Sequence, residues 1–412
     1  MGIVVQKFGG TSVGSVERIQ KVAERVAQAH AKGNQVVVTV SAMGKTTDEL
    51  VSLAKQMSDH PPEREMDVLL TTGEQVTIAL LSMALMQKGL QAHPMTGWQA
   101  GIHTDAIHGK ARIDHIDPNK IKKCLDAGEI VIVAGFQGIS PDGEITTLGR
   151  GGSDTTAVAL AASLKAERCE IYTDVTGVYT ADPRIAPQAS KLTEISYEEM
   201  LELANLGAGV LHPRSVECAM THQVQLVVRS SFCEEDGTMV KEAGQMEEEM
   251  NVRGVAHDLH VARIKVLGLP NQSETLSTLF TRLSEATINV DMIVTSEHEQ
   301  ERISVAFSVH EEEGDKAREV ILQLQDELGY QDVISETGLA KVSTVGAGMV
   351  TNPGVAARMF NTLSEAGIKI KMVSTSEIKI SCVIPRDQAQ QAVRTLHTAF
   401  GLDAKHEVLL EA

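Results

Sequence analysis

The sequence predicts an α/β protein: a mostly parallel sheet between helical layers, followed by two small ferredoxin-like domains of the βαββαβ type. Two observations lead to this prediction. Residues 1 to about 230 alternate continuous apolar runs with segments that carry apolar residues at helical spacing, and the C-terminal part contains an internal repeat. A chain of 412 residues also exceeds what one core ordinarily supports, so we expect several domains.

The N-terminal part consists of repeated strand–helix units. The apolar run Ile3–Phe8 is followed by a glycine-rich turn and by a helix whose apolar residues recur at helical spacing over Val16–Val26. Val36–Val40 and Ile130–Ala134 are continuous apolar runs, typical of strands covered on both faces. Asp142-Gly143 indicates the tip of a hairpin. Because open parallel sheets bind ligands at the carboxyl ends of their strands, we expect the functional site at that edge.

An internal repeat organises the C-terminal part. Arg282–Glu297 (RLSEATINVDMIVTSE) and Thr362–Glu377 (TLSEAGIKIKMVSTSE) are identical at nine of sixteen positions, at an offset of 80 residues. Each copy has the signals of a strand, a helix, two strands and a second helix, which is the ferredoxin-like order. Neither copy can bury both faces of its sheet alone, so we expect the copies to pair with one another or with another subunit.

Composition restricts the possible partners. The net charge is −18, from 37 basic and 55 acidic residues, which disfavours nucleic acid and anionic membranes. The sequence has no run of about 18 apolar residues and no basic-then-apolar leader, so we expect a cytoplasmic protein. The five cysteines show no CxxC spacing and the histidines no HExxH context. We therefore expect reduced thiols and no protein-held metal.

The glycine-rich turn after the first strand has the features of a phosphate-binding loop. Lys7 ends the strand, Gly9-Gly10 let backbone N–H groups approach an anion, and Thr11-Ser12 add hydroxyls before a helix. The lysine precedes the glycines, so the loop differs from the GxxxxGK[ST] pattern. The alternative is a tight strand–helix turn with an incidental lysine.

Three further segments are ambiguous when each is taken alone. In Leu148–Asp154 (LGRGGSD), Arg150 suits a carboxylate or a phosphate, while Asp154 either orients Lys7 or a magnesium-bearing phosphate, or only stabilises a helix start. Thr71-Thr72-Gly73-Glu74 opens a helix with further apolar positions at Val76, Ala79, Leu80 and Met83. Its glutamate is either a surface residue or a ligand for a substrate ammonium group. Ile171–Arg184 (IYTDVTGVYTADPR) can hold an adenine or ribose, or be a surface loop.

Taken together and in this order, these segments resemble the aspartate kinase family. KFGGTS at Lys7–Ser12, TTGE at Thr71–Glu74, LGRGGSD and the YTD…DPR loop look like its signature segments, and the repeat resembles its paired ACT domains, so the resemblance spans essentially the whole chain. It implies an amino-acid kinase catalytic domain over residues 1–245 and ACT domains over 260–336 and 340–412. An acidic, weakly patterned stretch between about 233 and 252 agrees with a boundary there.

The resemblance also implies an activity and a site. The activity is ATP-dependent phosphorylation of L-aspartate to 4-phospho-L-aspartate, with Mg²⁺, on the route to lysine, threonine and methionine. Lys7 and Asp154 are expected to be catalytic. The expected nucleotide-binding residues are Lys7, Phe8, Gly9, Gly10, Ser41, Thr173, Asp174, Tyr179 and Arg184. The expected substrate-binding residues are Thr47, Glu74, Arg150, Gly151, Gly152 and Ser153.

Regulation follows from the same resemblance. The ACT domains are expected to sense lysine, threonine or both, and to pair in a homo-oligomer. The positions matching effector contacts are Asn271, Asn289, Val290, Asp291, Thr295, Val355, Ala356, Ser376 and Glu377. Met246 and Met250 precede the repeat, so a separate regulatory chain from an internal start is conceivable.

The chain departs from the family pattern at two places. Some members have a lysine in GAKVLHP, where this chain has Gly209, so that charge is absent. The loop Asn271–Glu274 of the first repeat lacks the proline–glycine that the second repeat keeps at Pro353-Gly354. The alternatives to an aspartate kinase are another amino-acid kinase, such as an acetylglutamate or glutamate kinase, and a catalytically silent amino-acid sensor.

Overall fold

A computed structural model of the chain describes residues 2–207, 209–243, 252–298, 301–349, 352 and 354–403. The domain limits at 245 and 412, together with Met246, Met250 and Pro353, lie outside the described residues. Contacts divide the described part into two units. The first takes in residues 2–178, 191–205 and 209–243, and the second takes in 179–190, 206–207 and 252–403.

The first unit is a three-layered α/β structure. Its elements are β1 (Ile3–Phe8), α1 (Val16–Ala31), β2 (Gln35–Val40), α2 (Thr46–Met57), α3 (Glu63–Leu70), α4 (Thr72–Gln87), β3 (Ala92–Met95), β4 (Ile102–Thr104), β5 (Ile113–Ile116), α5 (Asn119–Asp126), β6 (Ile130–Ala134), β7 (Gln137–Ile139), β8 (Ile145–Thr147), α6 (Gly152–Leu164), β9 (Arg168–Thr173), β10 (Glu194–Ser196), α7 (Tyr197–Asn205), α8 (Pro213–His222), β11 (Leu226–Ser230) and β12 (Thr238–Lys241). The main sheet has the order β10-β12-β11-β9-β1-β2-β6-β3. All its pairs are parallel except β11–β12, which confirms the predicted mostly parallel sheet.

A smaller sheet of the first unit has the order β5-β4-β7-β8. Strands β7 and β8 form the predicted hairpin, with Gln137 paired to Thr147 and with Gly143 at positive φ near its tip. The hairpin leads directly into the LGRGGSD segment, so it determines where that segment begins.

Helix α1 forms where the pattern predicts it. The Ser15 hydroxyl caps its N-terminus by accepting the N–H of Arg18, and Ile19, Val22 and Val26 are buried against the sheet. Val16, which the same pattern includes, is 56% exposed because it lies in the first turn, before the helix reaches the sheet.

Helix α4 buries a different face from the one its apolar positions suggested. Val76 and Met83 are about half exposed, whereas Ile78, Leu81 and Leu85 are buried. The helix is apolar around its whole circumference, so its sequence pattern does not select a face. By length and composition, Glu63–Gln87 is the one described helical stretch that could cross a membrane. Core helices pass the same test, and α4 packs on β3, β6 and α1.

The second unit contains both copies of the repeat. Its elements are β13 (Gly254–Pro270), α9 (Ser273–Glu285), β14 (Val290–His298), β15 (Arg302–His310), α10 (Gly314–Gln323), α11 (Gln325–Leu328), β16 (Asp332–Val345), α12 (Val355–Glu365), β17 (Met372–Thr375), β18 (Lys379–Pro385) and α13 (Ala389–Ala399). The strands form one antiparallel sheet in the order β14-β15-β13-β16-β18-β17.

The two copies share this sheet through their long central strands. Residues 261–267 of β13 pair with 332–339 of β16 in the first copy, whereas residues 254–258 of β13 pair with 341–345 of β16 in the second copy. Two of the four strands of each copy, β13 and β16, are therefore shared with the other copy. Val261, Met292, Leu339, Met372 and Val383 form an apolar cluster that draws on both copies. This confirms that the copies pair with one another.

Candidate active site

The candidate site begins at the carboxyl ends of three adjacent strands. Strand β1 pairs in parallel with β2 and β9, and Phe8 is in register with Val40 and Tyr172. The residues that follow these strand ends come together for that reason. The N–H of Ser41 donates to the Phe8 carbonyl at 3.1 Å, and the N–H of Gly9 donates to the Tyr172 carbonyl at 3.4 Å.

Close backbone packing favours glycine at position 10 of the first loop. A Cβ atom added to Gly10 would lie 3.0 Å from the carbonyl oxygen of Ala42, and one added to Gly9 would lie 3.4 Å from the Nζ of Lys7. The N–H of Gly44 also donates to the Gly10 carbonyl at 3.0 Å. The loop after β1 therefore packs directly against the loop after β2, and a side chain at Gly10 would crowd that neighbouring loop.

Lys7 and Asp154 form an ion pair. The Nζ of Lys7 lies 2.5 Å from Oδ1 of Asp154, and the two side chains are only 12% and 13% exposed. Asp154 is the third residue of α6, where a carboxylate also favours the helix dipole. Of the two alternatives for Asp154, the one in which it orients Lys7 therefore agrees with the geometry.

Glu74 is a buried carboxylate with one unused oxygen. The residue is 3% exposed, and its Oε1 accepts the N–H of Ala42 at 3.0 Å. Its Oε2 has no hydrogen-bond partner among the described residues. Burial raises the pKa of Glu74 to about 7. Glu74 is therefore not a surface residue, which was one of its two predicted roles. Its free carboxylate oxygen suits a cationic or hydrogen-bond-donating ligand.

The LGRGGSD segment is a loop that only glycines can form. Gly149 and Gly151 have φ values of 74° and 73°, and a Cβ atom on Gly151 would lie 2.1 Å from Cγ of His212. Between them Arg150 is exposed and forms no ion pair with any residue in the described ranges. Gly152 begins α6. The next residue, Ser153, packs closely on Gly135, because a Cβ atom added to Gly135 would lie 2.8 Å from the serine hydroxyl oxygen.

Two residues of the predicted nucleotide loop, Thr173 and Asp174, belong to the same unit as the glycine loop. Thr173 ends β9, and its hydroxyl donates to the Asp174 carboxylate at 3.1 Å. The Phe8 ring is fully buried and stacks on Tyr172, so only the Phe8 backbone faces the loop. Thr47 lies in the first turn of α2.

Tyr179 and Arg184 lie in residues 179–190, a segment that belongs to the second unit. There the guanidinium of Arg184 is 89% exposed and pairs with the Asp182 carboxylate at 2.7 Å, which lowers the pKa of Asp182. No motif in the sequence indicates that residues 179–190 belong to the second unit while Thr173 and Asp174 belong to the first.

Two residues near the site were not selected from the sequence. His212 caps α8, where its Nδ1 accepts the N–H of Arg214 at 3.3 Å, and burial lowers its pKa. The Arg214 guanidinium donates to two backbone carbonyls, those of Leu148 and Ala111. The available signal was Leu211-His212-Pro213-Arg214, in which proline after histidine indicates a helix start. Gly209 lies just before this helix and offers no charge.

The effector positions of the second repeat line one cavity. Val355 and Ala356 at the start of α12 face Ser376 and Glu377 after β17 across a cavity of about 260 Å³. Met349, Asn352, Gly354, Thr375 and Ile380 complete its lining.

The effector positions of the first repeat lie on a loop and an edge strand. Asn271 follows β13, and Asn289, Val290, Asp291 and Thr295 lie at or along β14, with all but Val290 exposed. The Asp291 carboxylate is engaged by the Nζ of Lys341 on the shared strand β16. The second repeat therefore has a formed cavity, while in the first repeat one of the expected contacts is occupied by a lysine of the same chain.

Comparisons with known proteins agree with this architecture. The family model described as "Amino acid kinase family" matches residues 2–230, and the model described as "ACT domain" matches 264–324 and 342–400. The aspartokinase of Bacillus sp. (strain MGA3) is 60% identical over 402 residues, which are 98% of each chain. Aspartokinase 2 of Bacillus subtilis (strain 168) is 58% identical over 406 residues, covering 98% of this chain and 99% of that protein.

A solved structure extends the likeness to three dimensions. E. coli aspartokinase III in complex with aspartate and ADP aligns with a TM-score of 0.82 at 28% identity, over 96% of this chain and 99% of that chain. The fold, the site and these matches define an amino acid kinase with two C-terminal ACT domains. Within that class, the chain belongs to the aspartokinase family. It is a kinase of that family whose ACT domains provide allosteric regulation.

Proposed function

We propose that this enzyme transfers the γ-phosphoryl group of MgATP to the side-chain carboxylate of L-aspartate, giving 4-phospho-L-aspartate. The observation that carries the proposal is the buried Glu74 carboxylate in the first turn of α4, whose Oε2 has no partner among the described residues. Its Oε1 binds Ala42 of the loop after β2, which packs against the glycine loop that follows Lys7. An α-ammonium group would satisfy this oxygen and compensate its buried charge. The aspartate and ADP bound in the related E. coli structure support the same substrate classes.

The chemistry needs no general base. An aspartate side chain is ionised at neutral pH because its ordinary pKa is about 3.9, so the nucleophile is already present. The protein has to hold two anions in line and neutralise the charge that moves between them. Lys7 and the amides of the glycine loop would neutralise the transferring phosphoryl group, and exposed Arg150 would bind the α-carboxylate. Asp154 would keep Lys7 in place between turnovers.

The test is to trap the acyl phosphate with hydroxylamine while MgATP is supplied with aspartate, glutamate or N-acetylglutamate in turn. We expect hydroxamate from aspartate alone. Product from one of the other acids but none from aspartate would replace the assignment by another amino-acid kinase. No product from any of them, with retained amino-acid binding, would favour the silent sensor.

We also infer that lysine, threonine or both regulate the enzyme through the second ACT domain, because its expected effector positions line a formed cavity. A related E. coli aspartokinase III structure, aligned with a TM-score of 0.76 at 27% identity, is described as a complex with lysine and aspartate. Assays with lysine alone, threonine alone and both together test this inference. Unchanged rates in all three would contradict it.

Three further proposals concern the setting of the enzyme. We propose assembly into a homo-oligomer through the ACT domains, supported by the edge strand β14, where Ile293 and Val294 are 49% and 37% exposed. Light scattering of the purified protein tests it, and a monomer would contradict it.

A separate regulatory chain from Met246 or Met250 would give a second, short band from the native host. The five free cysteines support a cytoplasmic location.

A further inference from the structure

Arg214 connects helix α8 to the two chain segments that precede the Arg150 loop. Its Nη1 donates to the Leu148 carbonyl at 2.6 Å and its Nη2 donates to the Ala111 carbonyl at 3.0 Å. These two segments also bond to each other, because the N–H of Ala111 donates to the Thr147 carbonyl at 2.9 Å. The fork of one guanidinium thus spans two backbone segments that are far apart in sequence.

A buried carboxylate holds the same segments from the other side. Asp67 of α3 is fully buried and accepts the Thr147 hydroxyl at 2.5 Å and the N–H of Gly109 at 3.1 Å. The Nδ1–H of His108 donates to the second carboxylate oxygen of Asp67 at 2.7 Å. Residues 108–111 and 147–148 therefore lie between an acceptor on α3 and a donor on α8, and both partners are charged groups, whose hydrogen bonds are the stronger ones.

Beyond Leu148, residues 149–152 accept no hydrogen bond from a charged side chain in the described part of the chain; the Thr155 and Thr156 hydroxyls donate to the Gly151 and Gly152 carbonyls at 3.2 Å and 2.9 Å. Gly149 and Gly151 turn the loop at positive φ, and the N–H of Gly152 bonds back to the Gly149 carbonyl at 3.0 Å. Arg150 projects from this turn, two residues after the carbonyl that Arg214 holds. A shift of the Leu148 carbonyl would move Arg150 with it, because only Gly149 separates the two residues and the Gly152–Gly149 hydrogen bond closes the turn that carries Arg150.

We propose that Arg214 is a positioning residue for the amino-acid substrate: by fixing the Leu148 carbonyl, it aims Arg150 at the substrate α-carboxylate. This inference rests on the proposed function. It assigns no contact with substrate to Arg214 itself. Arginine is suited to this task because its rigid planar fork reaches two carbonyls at once, whereas a lysine presents one point charge on a flexible stem.

The test compares Arg214→Met and Arg214→Lys with the wild type in the hydroxylamine assay. We expect Arg214→Met to raise the KM for aspartate about tenfold, the effect of losing a charge-assisted hydrogen bond, and to leave the KM for MgATP within about twofold. Arg214→Lys can form one of the two hydrogen bonds, so its KM for aspartate should lie between those of the wild type and Arg214→Met. Arg112→Met is the matched control, because Arg112 is an exposed arginine that directly follows Ala111, whose carbonyl Arg214 holds.

A double-mutant cycle separates positioning from general damage to the fold. If Arg214 acts through Arg150, adding Arg214→Met to Arg150→Ala raises the KM for aspartate by less than about twofold more. The inference would be overturned if the two substitutions multiplied each other's effect on the KM for aspartate. It would also be overturned if Arg214→Met raised the KM values for aspartate and MgATP equally, or left the KM for aspartate unchanged. If Arg214→Met does not fold, the same cycle with Arg214→Lys decides. A wild type inactive on aspartate would instead overturn the proposed function.

Discussion

The Nζ of Lys7 lies 2.5 Å from the Oδ1 of Asp154, which joins the carboxyl end of β1 to the first turn of α6. Both side chains are nearly buried, so each charge depends on the other in the absence of substrate. When a nucleotide binds, its terminal phosphate would compete with Asp154 for the same ammonium group. Lys7 is thus held ready by one carboxylate at the position where phosphate charge is expected.

Replacing Lys7 by Met should separate stability from activity. We expect kcat to fall at least about 10²-fold, because a preorganised charge at the transferring group is lost. The free energy of unfolding should fall by about 3 kcal/mol, since Asp154 is left buried and unpaired. The double variant Lys7→Met/Asp154→Asn should recover most of the stability and none of the activity. Urea unfolding and steady-state rates measure both, and near-normal rates in Lys7→Met would remove Lys7 from the mechanism.

The raised pKa of Glu74 predicts a pH-dependent stability of the enzyme without substrate. The folded protein binds the proton of the Glu74 carboxyl group more tightly than the unfolded chain does, because burial raises the pKa from 4.5 to about 7. Stability is therefore lost as the pH rises through this window, by about 3 kcal/mol in all. Glu74→Gln keeps the acceptor for Ala42 and does not titrate, so its stability relative to wild type should increase between about pH 5 and 8. A difference that stays constant across this range would contradict the assignment.

The same titration should appear in substrate affinity with the opposite sign. An α-ammonium group binds the ionised carboxylate, so the KM for aspartate should rise as the pH falls below about 7. In Glu74→Gln the KM should be high and nearly independent of pH. Initial rates at saturating MgATP give both profiles.

Gly151 should not tolerate alanine, and Gly143 provides the control. Both glycines have positive φ, 73° and 81°, so both alanine variants carry a similar backbone strain of about 1 kcal/mol. Only at Gly151 does the new methyl group meet a neighbour, His212 Cγ at 2.1 Å, while nothing lies within 4 Å at Gly143. We expect Gly151→Ala to lose most activity and Gly143→Ala to keep it. Equal rates in the two variants would show that the loop does not depend on this contact.

Filling the cavity of the second ACT domain should weaken inhibition alone. Ala356→Leu adds three carbon atoms at the lining of a cavity of about 260 Å³. We expect the concentration of lysine or threonine needed for half inhibition to rise at least about tenfold, because the effector then meets a steric clash. The uninhibited rate of the same variant serves as its control. Inhibition at the wild-type concentration would place the effector elsewhere.

The sequence was sufficient to predict a mostly parallel sheet with loops at the carboxyl ends of its strands, because each part of that edge carries a local signal. Lys7, the paired glycines and the apolar runs on either side predict a loop at the end of a buried parallel strand, and the structure has it there. The repeat likewise predicted two matching units from identical residues.

What the sequence could not supply depends on contacts between distant segments. Arg214 binds backbone carbonyls, and a carbonyl has no residue identity that a pattern could display. Helix α4 is apolar on every side, so its buried face is chosen by the sheet it meets. Strands β13 and β16 are longer than their apolar runs, because each is shared between both copies of the repeat.

The most direct measurement compares aspartate with succinate, which lacks only the α-ammonium group, in wild type and in Glu74→Gln. If Glu74 and Arg150 select a free amino acid, the wild type should prefer aspartate in kcat/KM by at least about 100-fold, because succinate leaves the buried carboxylate unpaired. Glu74→Gln should lose most of that preference by reacting more slowly with aspartate. A wild type that phosphorylates succinate equally well, or a preference unchanged in Glu74→Gln, would contradict the role given to this carboxylate.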